Sequence, residues 1–236
     1  MSARSHRSGL LLSVTLAGMA VLIIEITATR MLAPFFGNSI FTISSVIGII
    51  LAALGLGYYV GGSLADRKPS TVWFFSLIVT AGFSVLLLQF LNAAVLPRIA
   101  YRLSLVDGPL IVSLLMFFLP ALFLAMLSPY AIALLHAREA GRGVGKASGL
   151  VFFWSTLGSI AGSLATGFLL IPHWGIGSII IGVGSGLVLL GGVGLLLTRK
   201  LPAIVPLGLA LLGLISGAAL RQIGRASCRE RVYSGV

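Results

Sequence analysis

Seven apolar stretches of 20 or more residues occupy this chain, separated by short polar loops. A hydrocarbon core of about 30 Å is crossed by roughly 20 apolar residues in a helix, and every stretch reaches that length. They run from Leu10 to Ala33, Ser39 to Ala65, Thr71 to Leu96, Pro109 to Leu135, Val144 to Ile171, Gly175 to Thr198 and Leu201 to Leu220. The runs are continuous and do not alternate apolar with polar residues, so they predict helices and not barrel strands. With 58% hydrophobic and only 9% charged residues, the expected fold is an all-α, polytopic transmembrane bundle of about seven helices, multi-pass in the lipid bilayer.

The cations give an orientation. Arg4, Arg7, Arg67, Lys68, Arg138, Arg142, Lys146, Arg199 and Lys200 fall on one side of the predicted topology, and Arg30, Arg98, Arg102 and Arg221 on the other. Nine against four predicts a cytoplasmic amino terminus, in the plasma (inner) membrane of the cell. The rival reading of the first stretch is a cleaved signal peptide, but Glu25 and Arg30 sit where a small-residue cleavage site should be. The same cations need no nucleic-acid partner: they lie beside membrane spans, and no aromatic and basic interleaving suggests a stacking platform.

The carboxyl end reads differently. Ile223 to Val232, in one-letter code IGRASCRERV, resembles the translation of a common sequencing adapter. Two segments are therefore expected: a transmembrane helical domain over 1–222 and an artefactual tail over 223–236, with the native chain continuing past Gln222. The tail holds Cys228, the one cysteine, so cysteine carries no redox information. Without the tail, 13 Lys and Arg less 4 Asp and Glu leave +9 in place of +11.

Gly62-Ser63-Leu64-Ala65 in the second stretch recurs as Gly162-Ser163-Leu164-Ala165 in the fifth, 100 residues later. The stretches then match one with four, two with five and three with six. Three helices cross a membrane an odd number of times, so the second unit is inverted, a 3+3 inverted repeat of the kind used by many transporters. Gly57 and Gly61, Gly158 and Gly162, and Gly182 and Gly186 form G-x-x-x-G steps, with Ser155, Ser159 and Ser163 as a second small row. Small stripes mark helix contacts in lipid, where close backbone approach holds helices together. Gly182 to Gly186 lies inside an apolar span with no soluble strand before it, which excludes a dinucleotide loop.

Chemistry inside the membrane is sparse. Glu25 is the only acid within a stretch, about two thirds of the way across the first. A charge there costs about 2.5–3.5 kcal/mol on insertion scales, so it should face the bundle or a wet cavity. It is the candidate cation or proton site, against the alternative of a structural bond between helices. Thr29, four residues on, can reach it, whereas Arg30 is about 140° around the helix and is expected to snorkel outward. Pro120 and Pro129 each remove a backbone hydrogen bond from the fourth stretch, freeing carbonyls to line a cavity or kinking the helix. Tyr130 and Trp154, with Ser128, Tyr58 and Tyr59, are candidate wall residues. No catalytic residue, metal or cofactor is expected.

Gly62-Ser63-Leu64-Ala65-Asp66-Arg67 resembles the first half of the cytoplasmic signature loop of the major facilitator superfamily, although Pro69 stands where that loop has a glycine. By that resemblance Gly62, Asp66 and Arg67 form a structural or gating loop. Phe118-Leu119-Pro120 with Met126-Leu127-Ser128-Pro129-Tyr130, Trp154 to Gly162, Gly167 to Pro172, and Glu25 to Arg30 resemble the membrane region of fused major-facilitator and spermidine-synthase-like proteins, over residues 10 to about 200. In that family a soluble aminopropyltransferase-like domain follows the helices, and nothing here has its strand and helix alternation. The resemblance implies a membrane anchor or docking domain for a missing synthase-like domain. The alternative is a transporter of polyamine or another cation, which would need a homodimer to supply the second six-helix half. Seven spans from a cytoplasmic start also place whatever follows Leu220 outside, so a cytoplasmic domain would need a further span.

Overall fold

The computed structural model describes residues 3–67, 69–138 and 143–198. The seventh stretch, the 223–236 tail and Glu139 lie outside them. The described residues are all-helical, and six helices are long and apolar enough to cross a membrane: α1 (Ala3–Phe36), α2 (Ile40–Arg67), α3 (Thr71–Ala94), α4 (Gly108–Arg138), α5 (Val144–Ala165) and α6 (Ile176–Leu197). A chain in hydrocarbon must satisfy its own backbone, and each continuous apolar run does so as helix. Large apolar side chains cover the outside, among them Ile47, Leu51 and Tyr59 on α2 and Phe153, Ile160 and Leu164 on α5. Such a surface suits lipid and not water.

The ends of the helices have local causes. α1 stops at Gly37, whose φ of 72° only glycine adopts at little cost, and its N–H donates to the Ala33 carbonyl at 2.9 Å. Ser39 then caps α2, accepting the Thr42 N–H on its hydroxyl at 3.2 Å. α3 gives way to a one-turn helix, Leu96–Ile99, and a 3₁₀ turn, Ala100–Arg102, before a turn in which Asp107 N–H donates to the Ser104 hydroxyl. α5 runs on into a π turn, Thr166–Leu170, and a last turn, Ile171–His173. There Ile171 N–H donates to the Thr166 carbonyl, five residues back, just ahead of Pro172, which has no N–H to give. α4 stays one helix through Pro120 and Pro129.

Three helix pairs dominate the packing: α2 on α4, α1 on α5, and α3 on α6. Gly57 lies against Leu122 and Ala125, and Gly61 against the backbone of Met126, so α2 and α4 run parallel. Gly158 lies against the Thr15 carbonyl and Gly162 against Met19, so α1 and α5 also run parallel, with Gly18 pressed on Ser155 and the Ser159 hydroxyl donating to the Gly18 carbonyl at 3.1 Å. α3 and α6 cross antiparallel: Phe75 meets Gly194, Val79 meets Gly191, and Gly82 and Gly184 each lie against the other's carbonyl. α1 also packs on α4, α2 and α6, and α4 on α3, α1 and α5, so these two hold the middle of the bundle. One apolar core runs through all six helices, with Phe74, Phe117, Leu32 and Tyr130 fully buried.

One expected packing pair finds no partner among the described residues. Gly182 and Gly186 are exposed, and no described residue lies within 4 Å of a Cβ at either. The glycines that bring α6 onto α3 are Gly184, Gly191 and Gly194, on a different face of the same helix.

Candidate functional site

Residues that could carry chemistry divide between the two ends of the bundle. One end, here the near face, holds the amino terminus and the α2–α3 and α4–α5 connections; the far face holds the α1–α2, α3–α4 and α5–α6 connections.

Glu25 lies in the far half of α1 and is partly exposed. It follows Gly18 by seven residues, two helical turns, and so continues the face that meets α5. The parallel register of Thr15 with Gly158 and Met19 with Gly162 sets Glu25 level with Phe168, inside the π turn of α5. The neighbouring hydroxyls do not reach it. Thr29 donates to the Ile26 carbonyl at 2.9 Å, and Thr27, fully buried, to the Ile23 carbonyl at 2.7 Å. The expected Thr29–Glu25 bond is therefore absent, because a helical threonine finds a carbonyl of its own preceding turn closer than a neighbouring side chain. Arg30 is exposed toward the far face.

Tyr130 belongs to the near face. Its hydroxyl accepts the backbone N–H of Ser70, the capping residue just before α3, at 3.2 Å, and its ring lies 6.2 Å from that of Phe74. A fully buried tyrosine that satisfies a helix N-terminus holds the α2–α3 connection onto α4. Gly62 faces Pro129 across the same junction, at 3.9 Å from a Cβ, while Asp66 and Arg67 are exposed just beyond it. Trp154 is half-buried, its ring edge-on to Phe153 at 5.7 Å. In the α1–α5 register it stands level with Leu11, about 21 Å along the helix from Glu25 at 1.5 Å per residue. Tyr58 and Tyr59 are exposed on the outer side of α2.

Glu25 and Thr29 thus do not converge with Tyr130 or Trp154. Among the described residues no group of His, Cys, Asp and Glu could hold a metal ion. Two polar groups that sequence reasoning missed are the Gln89 Oε1 and Ser113 Oγ atoms, buried without a hydrogen bond among the described residues, the Gln89 amide packing on Gly177. Nothing in their spacing marks them out. No protein-family model, curated protein or solved structure matches this chain.

None of the described hydrogen bonds reaches the Glu25 carboxylate. Glu25→Gln and Glu25→Leu are accordingly expected to keep the apparent Tm of the purified bundle within about 2 °C of the parent or above it, as for substitutions that break no contact. A fall of several degrees in either variant would mean that the carboxylate bonds another helix.

Proposed function

We propose that this chain is an integral membrane domain that anchors or docks a spermidine synthase-like, aminopropyltransferase-type domain lying outside residues 1–222. The observation that carries this reading is the near-face junction. The segments around Gly62 and around Ser128-Pro129-Tyr130, both part of the resemblance, meet there through Gly62 beside Pro129 and Tyr130 on Ser70. Beside the junction Asp66 and Arg67 are exposed, a charged face suited to a docked domain. The filled apolar core supports a scaffold in the same way. The cation bias supports a cytoplasmic near face in the plasma (inner) membrane.

A transporter of polyamine or another cation, working as a homodimer, is the second reading, and the pairing of the helices favours it. Exchange of α1, α2 and α3 with α4, α5 and α6 carries α1–α5 into α4–α2 and α3–α6 into itself. Gly57 and Gly158, and Gly61 and Gly162, lie 101 residues apart and play equivalent parts, while Gly82 and Gly184, 102 apart, touch each other. Such a pattern supports an inverted repeat about an axis through the α3–α6 crossing. Glu25 would be its ion site, and Glu25→Gln would then remove cation dependence without unfolding.

Coding sequence beyond codon 222 separates the two. A strand and helix alternation with a Gly-rich loop supports the anchor, and a second set of six membrane helices overturns it in favour of transport. Aminopropyl transfer needs acids to hold the amine and a base to take its proton. Here Glu25 lies in the far half of α1, Asp66 at the near end of α2 and Asp107 at the far start of α4. Purified residues 1–222 are therefore expected to form no spermidine from putrescine and decarboxylated S-adenosylmethionine, and turnover above a no-protein control would refute that division of labour.

A further inference from the structure

Val95, which follows α3, keeps a right-handed helical backbone, as do Ile99 and Ala100, so the helical path of α3 carries on through the one-turn helix toward Arg102. Residues seven apart on such a path lie within about 20° of the same face. Arg98 therefore prolongs the face of Leu91, and Arg102 that of Val95. Leu91, Val95 and Ile99 form one wall of a shallow apolar groove whose other wall is Val112, Leu115 and Met116 of α4. Leu115 is exposed, so the groove opens on the lipid side of the bundle. We propose that this groove takes the first part of an acyl chain of an anionic phospholipid whose phosphate is held by Arg98 and Arg102.

The charge and the groove meet because Arg98 folds back. Its guanidinium donates to the Ala94 carbonyl, four residues earlier, which brings it beside Val95 at the mouth of the groove. A guanidinium has further N–H groups to give once that bond is made. Arg102, four residues on, is exposed, and among the described residues neither arginine forms an ion pair with an acid. Asp107, the acid nearest along the chain, accepts the Ser104 hydroxyl. From Ile99 to Leu91 the wall runs about 12 Å from the far face toward the middle of the bundle, at 1.5 Å per residue. A phosphodiester supplies the anion that these two planar forks lack, and they can bind it through paired hydrogen bonds. A zwitterionic headgroup offers the same phosphate but brings a cation of its own, which the arginines repel, and a free phosphate ion gains nothing from the apolar wall. The site depends on neither the anchor nor the transport reading.

The test reconstitutes the full chain in phosphatidylcholine vesicles with a trace of phosphatidylglycerol that carries a photoactivatable diazirine on the upper part of one acyl chain. After irradiation the labelled peptides are mapped by mass spectrometry. Label is expected on residues 91–99 and 112–116, about 10-fold above that left by a phosphatidylcholine analogue with the same chains. A cation near a lipid surface strengthens such binding by about 5-fold, so Arg98→Gln with Arg102→Gln is expected to lower labelling there by about 30-fold. Arg98→Lys with Arg102→Lys should keep part of it, and Arg30→Gln, on the same face, should leave it unchanged. Both arginines are exposed, so these variants are expected to fold as the parent does. Equal labelling by the two lipids, labelling of the double glutamine variant at the parent's level, or displacement of the lipid by millimolar inorganic phosphate would each overturn the proposal.

Discussion

Purified Gly158→Ala is expected to lose about 3–10 °C of apparent Tm, while Gly149→Ala, nine residues earlier on the same helix, should keep or raise it. Both exchanges gain up to about 1 kcal/mol of helix propensity. At Gly149 nothing described lies within 4 Å of the new methyl group, so that gain is all that remains. At Gly158 the methyl would overlap the carbonyl and Cα of Thr15, which are backbone atoms and cannot rotate aside. α1 and α5 must then separate, losing the Ser159 bond to the Gly18 carbonyl and the fit of Gly162 on Met19. Overpacking of this kind costs about 1–3 kcal/mol, and each kcal/mol moves Tm by about 2–4 °C in a chain of this size. Equal behaviour of the two variants would show that α1 and α5 do not cross at Thr15.

Tyr130→Ala should be the most damaging single truncation, at about 3–5 kcal/mol, because it empties a fully buried aromatic site in a core that cannot collapse around it. Tyr130→Phe isolates the hydroxyl. It keeps the ring beside Phe74 but leaves the Ser70 N–H without that acceptor, a loss of about 1–3 kcal/mol. Thermal unfolding of both in detergent checks the order, parent above Phe above Ala. If Tyr130 were instead the wall of a ligand path, both variants would unfold with the parent and differ only in binding.

These two residues also mark how far the sequence could be read. The six described helices follow from lengths of apolar run alone, and the glycine pairs of α2 and α5 stand out because a four-residue step is visible in one dimension. The glycines that bring α6 onto α3 were not read from the sequence. Gly182 and Gly186 have the familiar step, but Gly177, Gly184 and Gly191, seven apart, meet Gln89, Leu86 and Val79, and Gly194 meets Phe75. A seven-residue spacing is as regular a signal, since it returns to the same face every two turns. Tyr130 could not be placed from its surroundings in the chain, because its partner Ser70 lies 60 residues away and only the fold brings them together. Thr29 was misread for the opposite reason: its partner is in its own preceding turn, which competes with any longer reach to Glu25. The separation of Glu25 from Tyr130 and Trp154 along the bundle is a property of helix register, which one sequence does not display.

The account stands or falls on the bundle crossing a membrane with the α2–α3 connection inside and the α3–α4 connection outside. Single cysteines at Ser70 and Ser104, each in a chain with Cys228→Ser, read both connections with an impermeant maleimide applied to intact cells. The account predicts labelling at Ser104 and none at Ser70 until the membrane is opened. Labelling at Ser70 with none at Ser104 would contradict it.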